Sequence, residues 1–117
     1  MSLRVFLLAV GLLVAAAPAR AQEWRFCVGL AATVHETVIS DIFSSAADSV
    51  RLERRLENYF RVRKARSMTF QCPRGAPDRV AALNAQTAAL QFNRVMGYAV
   101  SGLPTSEISA ATGEENF

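Results

Sequence analysis

One histidine, one lysine, one tryptophan and two cysteines are all that 117 residues provide of these types, and each scarcity excludes something. A structural zinc site needs four ligands, so two cysteines and one distant histidine do not make one. No G-x-S-x-G elbow, no H-E-x-x-H and no phosphate loop occurs, so the usual local marks of a serine hydrolase, a metalloprotease or a nucleotide-binding enzyme are missing. Beyond residue 21 no apolar run is long enough to cross a membrane, which takes about 20 residues as a helix. No internal repeat is present. No cofactor is expected.

What is present begins with a leader. Arg4 gives a short positive start, Val5 to Ala17 is apolar or small, and Pro18-Ala19-Arg20-Ala21 ends in an A-x-A pattern. That combination predicts a secretory signal peptide over residues 1–21 and a mature chain from Gln22. The alternative, a retained anchor, needs a longer apolar run. With Arg4 and Arg20 removed, the net charge falls from +3 to +1, which gives no support to general nucleic-acid binding. Twelve of the thirteen basic residues are arginine, a bias that suits a GC-rich bacterial genome and hence a periplasmic or secreted product.

In an exported chain two cysteines usually pair, so Cys27 and Cys72 are expected to form a disulfide. The mature chain has the length of one domain, and a crosslink of this span stabilises a domain of that size substantially.

Trp24, Phe26, Val28 and Leu30 alternate, so residues 23–34 read as a strand, with Gly29 marking a bulge or a close backbone approach. Residues 36–43 are rich in β-branched residues and read as a second strand. Thr33 and Glu36 also fit a capping box with Val34, Val38 and Ile42 at helical spacing, so 34–44 as a helix is the rival reading; the richness in Val, Ile and Thr favours the strand. Ser45 is the expected N-cap of a helix over about 46–65, whose apolar side is Val50, Leu52, Leu56, Tyr59 and Phe60. Met68, Phe70 and Cys72 alternate in a third strand. A second helix is expected over about 77–96, packed through the stripe Ala81, Ala85, Ala88, Phe92 and Val95, with Gly97 at its C′ position. Tyr98 to Val100 reads as a last strand. Residues 104–117 are acidic and poor in apolar groups, which predicts a disordered tail.

The fold expected is therefore α+β: a small two-layer domain over 22–103, ordered β-β-α-β-α-β. Its four-stranded sheet is covered on one face by two helices, with the second, third and fourth strands running parallel. Strict alternation sets Cys27 on the face opposite Trp24 and Phe26, while Cys72 shares a face with Met68 and Phe70. Either Gly29 changes the register or both sheet faces are apolar.

For chemistry the candidates are few. His35-Glu36 is the one acid–base pair containing histidine, but no nucleophile is marked to work with it, and a solvated turn residue is the simpler account of His35. Glu36 and Asp41 as a glycosidase carboxylate pair would need an aromatic-lined sugar cleft. Trp24 and Tyr98 fit core packing better than a binding platform. Phe117 ends the chain as outer-membrane barrels often end, yet no series of alternating strands precedes it.

The strongest local signal is Arg51–Arg66, with seven basic and two acidic residues. On a helix Arg51, Arg54, Arg55 and Arg61 lie on one side and would suit an anionic ligand or an acidic surface. A solvated face with intrahelical pairs such as Glu57–Arg61 explains the same pattern. The function expected is an exported interaction or accessory module with a protein partner and no catalytic activity. An anion or envelope-surface binder is the alternative, and a small hydrolase comes third.

Overall fold

The computed structural model describes residues 22–114. The secretory leader expected over 1–21 and the terminal Phe117 lie outside them.

The elements follow the hydrophobic periodicity, with breaks where the chain must bend. The first expected strand is two: β1 (Glu23–Arg25) and β2 (Val28–Ala31). Of the region read as strand or helix over 34–44, residues from Glu36 on are extended, as β3 (Glu36–Ser40) and β4 (Phe43–Ser45), interrupted at Asp41 and Ile42. A short 3-10 turn (Ala32–Val34) and His35 at φ 50° reverse the chain between β2 and β3. That turn does the work that an Asn-Gly pair does in tighter hairpins. There follow helix α1 (Ser49–Arg63), strand β5 (Thr69–Gln71), helix α2 (Arg79–Val95), strand β6 (Ala99–Leu103) and helix α3 (Thr105–Thr112).

β1 and β4 pair as a two-stranded ribbon, and the main sheet is ordered β5-β2-β3-β6. β2 is antiparallel to both β3 and β5, and β6 is parallel to β3. The second, third and fourth expected strands (β3, β5, β6) therefore do run in one direction. Cys27 and Cys72 stand at disulfide distance with their Cα atoms 4.2 Å apart, tying the start of β2 to the end of β5.

The α+β class, the four-stranded sheet and the disulfide are as expected, but the layers differ. Leu52, Leu56 and Phe60 of α1 and Ile108 of α3 pack with Cys27, Val38, Phe70 and Leu103. Ala82, Ala89 and Leu90 of α2 pack with Phe26, Ile39, Val28 and Val100 on the other face. The two long helices thus sandwich the sheet, which resolves the conflict over Cys27: both faces are apolar, and successive residues of β2 serve opposite cores.

Gly29 interrupts no pairing, since the β2–β3 register runs unbroken from Val28 to Ala31. It is a close approach. A Cβ there would meet the Phe70 ring at 2.5, 2.6 and 3.0 Å, and Phe70 is buried. Gly29→Ala should therefore cost about 1–3 kcal/mol through overpacking, read as a lower urea midpoint. Adding Phe70→Leu should restore part of the loss. A midpoint equal to that of the native chain would show that the ring does not depend on the missing side chain.

Helix ends also shift. Asp48, and not Ser45, is the N-cap of α1; Ser45 is buried in β4, where its Oγ accepts from the Ala47 N–H at 2.9 Å. Asp78 caps α2 by accepting from the Ala81 N–H at 2.8 Å. Gly97 occupies C′ of α2 at φ 85°, and the Tyr98 N–H reaches back to the Asn93 carbonyl at 3.0 Å.

The expected disordered tail is overturned over residues 105–112, which form α3. Its inner side explains it: Ile108 is fully buried in the α1 core, Ala111 packs against that core and Thr112 is buried beside them. Polar contacts hold the rest. Lys64 Nζ lies 2.6 Å from Glu107, Tyr59 donates to the same carboxylate at 3.3 Å, and Arg55 donates to the Thr112 carbonyl. The Glu107 carboxylate raises the Lys64 pKa above its ordinary value by hydrogen bonding and charge.

Candidate interaction surfaces

The residues singled out for chemistry are not brought together. Glu36 pairs with Arg66, and His35 is exposed against the Tyr98 ring at 5.6 Å between centroids. Glu36 and Asp41 lie at opposite ends of β3. Trp24 is half-buried, packed on the α2-side core, with the Arg79 guanidinium 5.6 Å from its ring centre. Among the described residues no group of three or more His, Cys, Asp or Glu is placed to hold a metal ion, and no helix is long and apolar enough to cross a membrane.

Of the four arginines, Arg51, Arg54 and Arg61 are exposed on α1 and Arg55 is half-buried, engaged with Thr112. The intrahelical Glu57–Arg61 pair is replaced by other bonds. Arg61 donates to Asn58 at 2.7 Å. Glu57 instead accepts from the Phe70 N–H at 2.9 Å, and Glu53 accepts from the Cys72 N–H at 2.8 Å. These carboxylates cap the outer edge of β5, because the opposite edge of that strand is paired with β2. The acids of α1 thus face the sheet while its basic side faces water.

The larger surprise is α2. Its expected packing stripe, Ala81, Ala85, Ala88, Phe92 and Val95, faces outward rather than into the core. All five residues are exposed, Phe92 at 64% and Val95 at 85%, and Met96 beyond them is 59% exposed. The helix meets the sheet through a more polar side. Ala82 is its one buried residue, Gln86 donates to the Ser40 carbonyl at 2.7 Å, and the Asn93 side-chain oxygen accepts from Thr37 Oγ1 at 2.9 Å. Beside the stripe, an open groove of about 390 Å³ runs between α2 and the sheet, walled by Phe26, Val28, Leu30, Ala89 and Phe92.

No family model, curated protein or solved structure matches this chain.

The stripe is legible in the sequence, because its spacing of four and three sets all five residues on one side of a helix. Its direction is not. Helical periodicity marks which residues share a side, and says nothing of whether that side meets the protein's own sheet or something else. Nothing in the sequence marks Arg25, because an arginine in an alternating strand reads as a surface residue.

Proposed function

We propose that this chain is a small exported protein-interaction module, with no catalytic activity of its own, that docks an apolar helix of a partner protein on the outer stripe of α2. The observation that carries the reading is the outward placement of Ala81, Ala85, Ala88, Phe92 and Val95. Their alternate spacing of four and three residues is that of a helix–helix seam, with small residues that let a second backbone approach and a bulky pair at one end. Contiguous exposed apolar surface of this kind is unusual on a monomeric soluble protein unless something covers it. The disulfide and the leader sequence support export.

A photo-crosslinking phenylalanine analogue at Phe92 tests this in the native host. One discrete protein adduct is expected, lost when Ala88→Asp is added, and none is expected from the same analogue at Arg54. The absence of an adduct from both Phe92 and Val95 would sink the docking seam. Export is checked by sequencing the N-terminus of the protein from the envelope or medium, where a start at Gln22 is expected. A cytoplasmic product that keeps Met1 would overturn it.

A second reading, binding of an anionic ligand or acidic surface by α1, rests on the turning of Glu53 and Glu57 toward β5, which leaves Arg51, Arg54 and Arg61 exposed. Binding of that kind weakens steeply with salt. Charge reversal at those three positions would abolish it while leaving the Phe92 adduct unchanged.

A further inference from the structure

The two edges of the main sheet are treated differently. The β5 edge is covered by Glu53 and Glu57. Among the described residues the β6 edge has no such cover. The Ala99 N–H donates to the His35 carbonyl at 3.0 Å, and the Asp41 N–H donates to the Leu103 carbonyl at 2.9 Å. In a parallel ladder alternate residues bond to the neighbouring strand, so Ala99, Ser101 and Leu103 face β3. Val100 and Gly102 therefore direct their N–H and C=O groups away from the sheet. The strand Ala99–Leu103 carries no charge and no proline, the usual guards of a free edge.

We propose that this edge pairs with the same edge of a second copy, antiparallel about a two-fold axis at Ser101. The strand is self-complementary in that register. Val100 stands opposite Gly102 of the second copy, and symmetry repeats the pair, so every outward N–H and C=O of the two residues finds a partner. A Cβ at Gly102 would meet nothing within 4 Å, so the gap it leaves receives the facing valine. The flanks are complementary in charge as well. Arg94 and Asp41 line the same depression over β6, where Asp41 is bonded to the end of the strand and Arg94 precedes its start. Antiparallel pairing sets the basic end of one copy beside the acidic end of the other. The seam Ala81–Val95 is not part of this contact, since the α2 residues beside β6 are Gln86, Leu90 and Arg94.

Cysteine crosslinking of the mature, disulfide-bonded protein reads the register directly. Ser101 would face its own counterpart in a non-hydrogen-bonded pair, with Cα atoms about 4.5 Å apart, within reach of a disulfide. Ala99 would stand about 14 Å from its counterpart, four residues along the strand. Ser101→Cys should form a covalent dimer under mild oxidation, and Ala99→Cys should not. Sedimentation of the native protein should give a mass that rises from one chain to two with concentration. Val100→Pro removes an outward N–H and no bond within the sheet, so it should stay monomeric with an unchanged circular-dichroism spectrum. A native protein that remains monomeric at every concentration would overturn the proposal. Equal crosslinking at both cysteine positions, or an adduct at Ser101→Cys made only with a different protein, would do the same. The Phe92 adduct is measured independently, so failure of either surface leaves the other standing.

Discussion

Arg25→Leu is expected to lower the stability of the protein by about 3–5 kcal/mol, the loss typical of a buried charged group taken from its partners. Arg25 is only 4% exposed, at the end of β1. Its guanidinium donates to the Ala47 carbonyl at 2.6 Å, to Ser49 Oγ, and to the Cys72 and Pro73 carbonyls at 3.4 and 3.3 Å. One side chain thus joins the ribbon strand, the entry to α1 and the loop after the second cysteine. Leucine fills part of the volume and leaves those acceptors buried without a donor. Arg25→Lys should recover only part of the loss, because a single ammonium cannot reach all the acceptors spread around the two arms of the guanidinium fork. Urea unfolding followed by circular dichroism measures all three proteins. A leucine variant within about 1 kcal/mol of the native chain, against the cost of buried unsatisfied acceptors, would show that the network does not hold these segments together.

Removing the crosslink should be comparably severe. Cys27 and Cys72 are separated by 45 residues, and both side chains are buried in the α1-side core. The chain-entropy model assigns a loop of that length about 4 kcal/mol, a large part of the 5–15 kcal/mol typical of a whole domain. For a chain of this size that corresponds to a fall in Tm of roughly 15–30 °C. The double variant Cys27→Ala, Cys72→Ala avoids burying new polar atoms, so its melt should match that of the reduced native protein. If reduction shifts Tm by only a few degrees, the crosslink is not what closes the sheet.

Much of the architecture is written in residue spacing. Trp24, Phe26, Val28 and Leu30 announce a strand, Leu52, Leu56 and Phe60 announce α1, and Gly97 marks the end of α2, because each pattern is set by local geometry. Three things were hidden. Arg25 looks like any solvent-facing polar residue until Ala47, Ser49 and Cys72, distant in sequence, converge on it. The tail is poor in apolar groups, yet Ile108 and Ala111 find their place in a core built by other elements. The direction of α2 was hidden most deeply. Two competing sides of that helix are both usable, and the sheet took the one with Gln86 and Asn93, whose amides reach Ser40 and Thr37. The candidate surface followed from that choice and from no motif.

The carboxylate cover on β5 fixes how far any edge-to-edge assembly can grow. Open-ended fibres require each subunit to offer two templates, one for the copy ahead and one for the copy behind. Here Glu53 and Glu57 already occupy the outward N–H groups of Phe70 and Cys72, so among the described residues the main sheet has a single template to offer. Joining two copies through β6 would consume both templates and leave β5 at each outer margin, an eight-stranded unit with nowhere to add a ninth. The same two side chains that steady a short strand thus set an upper limit on copy number.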